Sequence, residues 1–503
     1  MSRVRPRTSH PARRVANPVK VTGHRTSHHM NLQDWSYGHP ADAVDLTRPG
    51  ALNSLLDRYG GSRPDVLTSV LAHAYASGAQ SAVLEYRYID PDYRNEHSQF
   101  YSTTFRRYPS VAHRLHFFAE QMPPSLTSRD EPTRFNNLGY LGYTVLRPLP
   151  GAPVGRTMLA PQIGTQPHVT CLAPDKVNLL GEPLEVIGAP FVSQDAQMSV
   201  CAHATLWMIA YYHHLAFGGP RLLPGDITTA VPDDIGRGLP SMGLTLYQIS
   251  VAASRLGYPA LVYGLDPPPP GESPFRLACR YLNSGIPVIV GGAEHVFLLV
   301  GYERLKPGRP DERIRFIRHD DEVGIYIGVD NYLLDDYAPW EYLVIPLPQK
   351  VYMSGEDAEV IGEAYLRQAL DDNAAKVGTA LRDRLDRKPR ELSFRSTVVL
   401  SNDFKTGLEA RQVPATLAAV YRRMQMSRWI WVVEVVDREL RRLNQPCVLA
   451  EAIIDATDQL RDKHVLSWRI PGLVGQWNPD NDTLSHRTLD PMPPLPSVSK
   501  ANG

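Results

Sequence analysis

Residues 194–208 read QDAQMSVCAHATLWM, and this stretch decides the fold of the middle of the chain. Apolar residues recur at helical spacing around and after Cys201, which predicts a helix with this cysteine in its first turn. Ser199 is the predicted N-cap, and Gly218 lies just beyond the predicted end. The free backbone N–H groups and the positive dipole end at a helix start lower the pKa of a thiol. The stretch therefore predicts a reactive cysteine rather than a core thiol.

A sheet is predicted downstream of this helix. Thr245 and Ser273 each begin a further predicted helix, and apolar runs at 286–290, 295–302 and 314–317 are typical of buried strands. Helices come first and an antiparallel sheet follows them. This order predicts a domain of the α+β class.

The three other groups that a thiol nucleophile needs, a base, an acid that orients it and an oxyanion donor, have candidates in this sheet and just before the helix. His295 begins the apolar run HVFLLVGY, where its ring would be held at the sheet edge. Asp320 and Asp321 end the run FIRHDD, and one carboxylate there can accept a hydrogen bond from the imidazole and fix its tautomer. The amide of Gln194 or of Gln197 can donate to an oxyanion. The residues alone leave open which aspartate and which glutamine have these roles.

The segments QDAQMSVCAHATLWM, GIPVIVGGAEHVFLLVGYE and FIRHDDEVGIY resemble the bacteriocin-processing peptidases, which remove double-glycine leaders, and their wider papain-like relatives. The resemblance covers the middle third of the chain. It implies a papain-like fold with Cys201 as the nucleophile, His295 as the base, Asp320 as the orienting acid and Gln194 as the oxyanion donor. It also implies a cysteine peptidase that hydrolyses a peptide or protein substrate through a thioester acyl-enzyme.

The chain departs from that family pattern at three points. Ala202 stands where the family usually has glycine after the cysteine, and Asp321 stands where proline commonly follows the acid. The spacing between glutamine and cysteine is also loose. The membrane-spanning and ATP-binding regions that accompany the leader-processing enzymes are not recognisable, so the resemblance does not imply peptide export.

The rest of the chain predicts two flanking domains and two tails. The predicted catalytic domain is 186–345, and α+β domains are predicted at 31–185 and 346–480. Residues 1–30 carry basic residues and no acid, which predicts a disordered tail, and 481–503 are rich in proline and serine, which predicts a flexible one. The flanking elements that the pattern predicts are helices at 66–76 and 358–375 and strands at 82–89, 140–149, 394–400, 428–436 and 447–456.

Composition narrows the function classes. Lys+Arg and Asp+Glu both number 53, so no net charge favours nucleic acid or a membrane surface. The four cysteines form no CxxC pair, and no HExxH, P-loop or strand-linked GxGxxG occurs, so no metal and no cofactor are predicted. No apolar run reaches the roughly 18 residues of a membrane helix. We therefore expect a cytoplasmic protein, and its oligomeric state is not indicated.

Two other functions are compatible with the same residues. An amine acceptor in place of water would make the protein an acyltransferase or a transglutaminase-like enzyme, because the acylation step is the same. A papain-like domain that has lost its activity would instead be a binding module.

Overall fold

The computed structural model describes residues 41–122, 134–164, 168–194, 201–232, 244–265, 273–292, 295–305, 313–330, 340–387, 391–457, 465–478, 483–490 and 492–498. The tail predicted for residues 1–30 lies outside these ranges, as do Ser199 and Gln197. The described chain contains both helices and strands, often in consecutive runs of one kind, and the strands form three antiparallel sheets. The predicted α+β class is therefore confirmed.

The first sheet belongs to the N-terminal part of the chain and has seven strands in the order β1-β2-β3-β4-β5-β7-β6. The strands are β1 Ala41–Asp45, β2 Ser81–Tyr88, β3 Ala112–Phe118, β4 Tyr140–Leu146, β5 Val154–Leu159, β6 Ala173–Leu179 and β7 Glu182–Phe191. Three helices accompany them: α1 Ala51–Tyr59, α2 Pro64–Ala76 and α3 Pro91–Gln99. The predicted domain boundary between residues 185 and 186 falls inside β7, which pairs with β5 and β6.

The second sheet contains the segments that the sequence singles out, and it has six strands in the order β12-β11-β10-β9-β13-β8. Its strands are β8 Ala260–Gly264, β9 Val288–Gly291, β10 Val296–Leu305, β11 Arg313–Asp320, β12 Gly324–Asp330 and β13 Tyr342–Pro346. Its helices are α4 Cys201–Phe217, α5 Pro224–Ala230, α6 Leu246–Arg255 and α7 Pro274–Asn283. Thr245 caps α6, as predicted: its hydroxyl accepts a hydrogen bond from the backbone N–H of Gln248, whose side chain bonds back.

The third sheet is a six-stranded meander in which neighbours in sequence are neighbours in space. Its strands are β14 Leu392–Leu400, β15 Trp429–Asp437, β16 Val448–Asp455, β17 Val465–Ile470, β18 Leu473–Asn478 and β19 Thr483–Thr488. Its helices are α8 Gly355–Asp372, α9 Ala374–Val377, α10 Ala380–Arg387, α11 Ser401–Thr406, α12 Ala415–Arg423 and α13 Arg438–Arg442. The run 428–436, predicted as a strand, is almost wholly β15, and all nine residues of β15 are buried.

The C-terminal residues within the predicted tail at 481–503 contact the third sheet over the part that the structure describes. Strand β19 pairs with β18 along its whole length. Leu489 and Leu495 are buried, and Leu495 exchanges two backbone hydrogen bonds with Val448 on β16. A segment rich in proline can lie extended along a sheet edge and bury single leucines.

Helix α4 joins the first and second sheets. Residues 202–213 are all buried, because strands β6 and β7 of the first sheet and β10 of the second pack against this helix. The indole N–H of Trp207 donates to Asp92 at 3.0 Å, and the hydroxyl of Tyr211 donates to Asp175 at 3.2 Å. Both acids belong to the N-terminal part of the chain. The direction of α4, and with it the position of Cys201, is therefore set partly by the first sheet.

Among the residues that the structure describes, no helix is both long and apolar enough to cross a membrane.

Candidate active site

Cys201 is the first residue of α4 as the structure describes it, and its side chain is partly exposed. The hydroxyl of Thr205 donates to the backbone carbonyl of Cys201 at 2.8 Å, one helical turn away. Cys171, Cys279 and Cys447 likewise form no disulfide, but all three are buried. Cys201 is thus the most accessible of the four thiols, and it lies where N–H groups of a helix are without intrahelical acceptors.

His295 comes directly before β10, in the hairpin that joins β9 to β10. Its backbone carbonyl accepts a hydrogen bond from the N–H of Gly292 at 3.0 Å, and Val296 pairs with Gly291 in the next position. This pairing fixes the backbone of His295, while its side chain remains 30% exposed. The backbone of His295 is therefore held in place, while part of its imidazole ring is accessible to solvent.

Asp320 ends β11, next to β10, and is the acid that holds His295. Nε2 of His295 lies 3.0 Å from Oδ1 of Asp320, whose side chain is only 1% exposed. The same oxygen accepts from the backbone N–H of Glu322 at 3.1 Å, and Oδ2 lies 3.4 Å from Nη1 of Arg318. A register shift in the pairing of β11 with β12 precedes Asp320. Both oxygens of Asp320 are thus held, one of them against the imidazole.

His295 and Asp320 each stabilise the charged form of the other. Burial by itself would lower the pKa of His295, but hydrogen bonds with Asp320 and with the thiol of Cys201, together with the charges of the neighbouring aspartates, raise it to about 10. Burial by itself would raise the pKa of Asp320, but His295, Arg318 and the N–H of Glu322 hold it below its usual value. An imidazolium and a carboxylate therefore face each other at neutral pH. An imidazolium beside a thiol favours the thiolate, which is the nucleophilic form.

Asp321, the second candidate acid, has a different environment. Its side chain is buried, and neither carboxylate oxygen has a hydrogen-bond partner in another residue that the structure describes. Burial first, and then the charges of Asp320 and Glu322, raise the pKa of Asp321 to about 7. It is Asp320, the acid that the resemblance favours, that bonds to His295.

Gln194, the candidate oxyanion donor, is buried and lies beside the residues that follow Asp320. Its Nε2 donates to Oε1 of Glu322, two residues after Asp320. A side-chain amide carries two N–H groups, so this bond leaves one of them for another acceptor. Gln197, the alternative donor, lies outside the described residues, so the choice between the two glutamines stays a prediction.

Tyr342 on β13 is a part of the site that the sequence analysis missed. It pairs with Gly291 of the neighbouring strand β9. Its ring fills the space that a side chain at residue 291 would need, since a Cβ built there would lie 1.9 Å from Cζ of Tyr342. Burial and then the charge of Cys201 raise the pKa of Tyr342 to about 12, so its hydroxyl keeps its proton at neutral pH. The pair of glycines before His295 was the available signal, because glycine in a strand often marks a close approach.

Three residues of this group could also hold a metal ion. His295, Asp320 and Asp321 each offer one ligand atom, and these atoms all lie within 4.8 Å of one another. A nitrogen with two carboxylate oxygens is a donor set that divalent transition metals accept.

No family model matches this chain, and no curated protein matches it in sequence.

Proposed function

We propose that this protein is a cysteine peptidase of the papain-like kind, with Cys201 as its nucleophile. The observation that carries the proposal is the 3.0 Å contact between Nε2 of the partly exposed His295 and the buried carboxylate of Asp320. That contact occupies one ring nitrogen and leaves Nδ1 for the thiol. A nucleophile, a base and a buried acid in a row are the parts of a triad, and such a triad is recognised by geometry and roles rather than by sequence position.

In the proposed reaction the thiolate of Cys201 attacks the carbonyl carbon of a peptide bond, and the carbonyl oxygen becomes an oxyanion. The backbone N–H of Cys201 and the second amide N–H of Gln194 are the proposed donors to this oxyanion. His295 then gives its proton to the leaving amine as the C–N bond breaks, which leaves a thioester on Cys201. Neutral His295 next takes a proton from water, the hydroxide attacks the thioester, and the acid product leaves as the thiolate and imidazolium re-form.

Asp320 has an orienting role in this proposal. Its bond to Nε2 keeps the imidazole turned towards Cys201 and stabilises the positive charge of the ring. Arg318 and the N–H of Glu322 hold the carboxylate in turn, so the acid cannot rotate away without losing both contacts. The family resemblance in the sequence gives the same roles to Cys201, His295 and Asp320.

The test is a search for new protein N-termini after the purified protein is added to a denatured proteome. We expect new N-termini with the wild-type chain and none with Cys201→Ala or Cys201→Ser, because a hydroxyl beside this imidazole forms far less of its anion than a thiol does. New N-termini that persist in both variants would contradict the proposal. A result with no cleavage, but with transfer of acyl groups to an added amine that depends on Cys201, would assign the same centre to an acyltransferase.

A further inference from the structure

We propose that His295, Asp320 and Asp321 form a binding site for one divalent transition-metal ion such as Zn²⁺. We further propose that this ion inhibits the enzyme, because His295 and Asp320 cannot bind the ion and act in the triad at the same time. The binding step is independent of the proposed function. Only the second step, inhibition, rests on it.

The geometry of the three side chains is the first support. Their ligand atoms lie within 4.8 Å of one another, so an ion between them needs only small side-chain movements to reach all three. Arg318 contacts Oδ2 of Asp320, and Oδ1 is the oxygen that faces His295. The ion would therefore meet Oδ1, on the side of the carboxylate away from the arginine.

Asp321 is the second, independent support. Its side chain is almost wholly buried, yet no other described residue gives either of its oxygens a hydrogen bond. A buried carboxylate without a partner is costly, whether it is ionised or carries a proton that nothing accepts. Asp320, its neighbour, has Arg318 and His295 as cationic partners. A dication between the two acids would compensate the charge of Asp321, which the catalytic proposal leaves without a role.

The donor set limits the class of ion. One imidazole nitrogen and two carboxylate oxygens suit Zn²⁺, Co²⁺ or Mn²⁺ better than Ca²⁺, which prefers six or more oxygen ligands. Three protein ligands leave a fourth position for water, and the exposed face of His295 gives the ion a way in.

Binding and catalysis exclude each other at this site. A metal ligand must be a neutral imidazole, so Nε2 would exchange its proton, and its bond to Asp320, for the ion. The ring would then lack both the positive charge and the orientation that the proposed triad needs. Binding releases protons, so the apparent affinity should rise with pH.

The test is isothermal calorimetry of ZnCl₂, supported by the visible spectrum of the Co²⁺ form, on the full chain. We expect one ion per chain, bound equally well by wild type and by Cys201→Ala. We expect Asp321→Asn and His295→Gln each to weaken binding at least about ten-fold, since even loss of a residue that only supports a metal ligand costs that much. Asp330→Asn, which removes an acid of β12 paired with Arg315, is the matched control and should bind as wild type does.

Two results would overturn the metal site: no stoichiometric binding to Cys201→Ala, or unchanged affinity in His295→Gln. His295 is partly exposed and outside a strand, so its variant should fold even if Asp321→Asn does not. Because these arms are measured without turnover, they succeed or fail separately from the peptidase proposal. If the enzyme is active, Zn²⁺ should abolish its activity and a chelator should restore it.

Discussion

Two parts of the molecule bury acids beside cationic side chains, and they differ in how completely the acids are satisfied. In the third sheet Glu434 and Glu451 lie directly opposite each other on β15 and β16, and both are fully buried. In the second sheet Asp320 and Asp321 are adjacent in sequence and also buried. The first pair sits in a closed network, whereas the second meets a partly exposed histidine.

Every carboxylate oxygen of the third-sheet pair has a partner. Glu451 is bound by Arg411 at 2.9 Å and by the hydroxyl of Tyr421 at 2.6 Å. Glu434 accepts from the hydroxyl of Ser497 and from the backbone N–H of residue 498. Burial would raise the pKa of Glu451, but Arg411 and then a second arginine lower it to about 2. Its carboxylate oxygens are all engaged within the protein and both acids are fully buried, so we assign this network a structural role.

The second-sheet group is open by comparison. His295 is 30% exposed, and the oxygens of Asp321 have no hydrogen-bond partner among the other residues described. The difference teaches that buried charge alone does not mark a functional site. An accessible member, His295, and a carboxylate with unsatisfied oxygens, Asp321, are what separate the proposed catalytic centre from the structural network.

The largest effect is expected from Asp320→Asn. It should lower turnover by roughly 10²–10⁴-fold, because an amide neither carries the charge that stabilises the imidazolium nor fixes the same tautomer. Steady-state kinetics on the substrate found by N-terminal analysis measures this effect. Asp330→Asn, the same chemical change on a partly exposed acid of β12, should leave turnover unchanged. Equal activity of the two variants would remove Asp320 from the proposed mechanism.

Arg411→Met should give the next largest effect, and on stability rather than on chemistry. It leaves two buried carboxylates facing each other with one contact fewer, and breaking a buried ion pair costs about 3–5 kcal/mol. Denaturant unfolding measures the loss, with the exposed Arg422→Met on α12 as the control. A loss below about 1 kcal/mol would show that the third-sheet network is not the stabilising element that its contacts indicate.

The smallest effect is a shift of the pH profile. Turnover should fall as pH rises through about 10, where His295 loses its proton. Asp320→Asn should move this alkaline limb to lower pH, because the charge of Asp320 is one of the causes that raise the pKa of His295. The pH profile of kcat/KM, recorded for both proteins, measures the position of this limb. An alkaline limb that stays in place in the variant would contradict the assigned partner.

The same shifts give the sign of the stability change with pH. The raised pKa of His295 contributes stability below about pH 6.5, its unfolded value, and this contribution is lost as pH rises towards about 10. The lowered pKa of Asp320 contributes above about pH 4, and this contribution is lost as pH falls through the folded value. The pair should therefore stabilise the fold most between about pH 4 and pH 6.5.

The helices and strands could be predicted well wherever one strong pattern covers the segment. The cap at Thr245, the helix after Pro274 and the run 428–436 all occur near their expected positions. Strand β19 and the docking of Leu495 could not be predicted, because short polar or proline-rich segments carry no periodic signal and acquire their structure from the sheet that they meet.

Of the candidate site, the sequence could supply residue types and their order but not their contacts. The choice between Asp320 and Asp321 depends on a register shift at the end of β11, which a strand pattern does not reveal. The bond between Gln194 and Glu322 joins residues 128 positions apart, and the approach of Tyr342 to Gly291 depends on which strands are neighbours. These contacts depend on the tertiary structure, which the local sequence pattern does not specify.

The central claim is that Cys201 is an activated thiol paired with His295, and its most direct test is alkylation by iodoacetamide at about pH 6, read residue by residue by mass spectrometry. Cys171, Cys279 and Cys447, all buried, are internal controls in the same chain. We predict rapid alkylation of Cys201 alone, and loss of that advantage in His295→Gln, because an ordinary thiol with a pKa of about 8.5 is scarcely ionised at this pH. Alkylation of Cys201 only near pH 8.5, at the same rate in both proteins, would contradict the account.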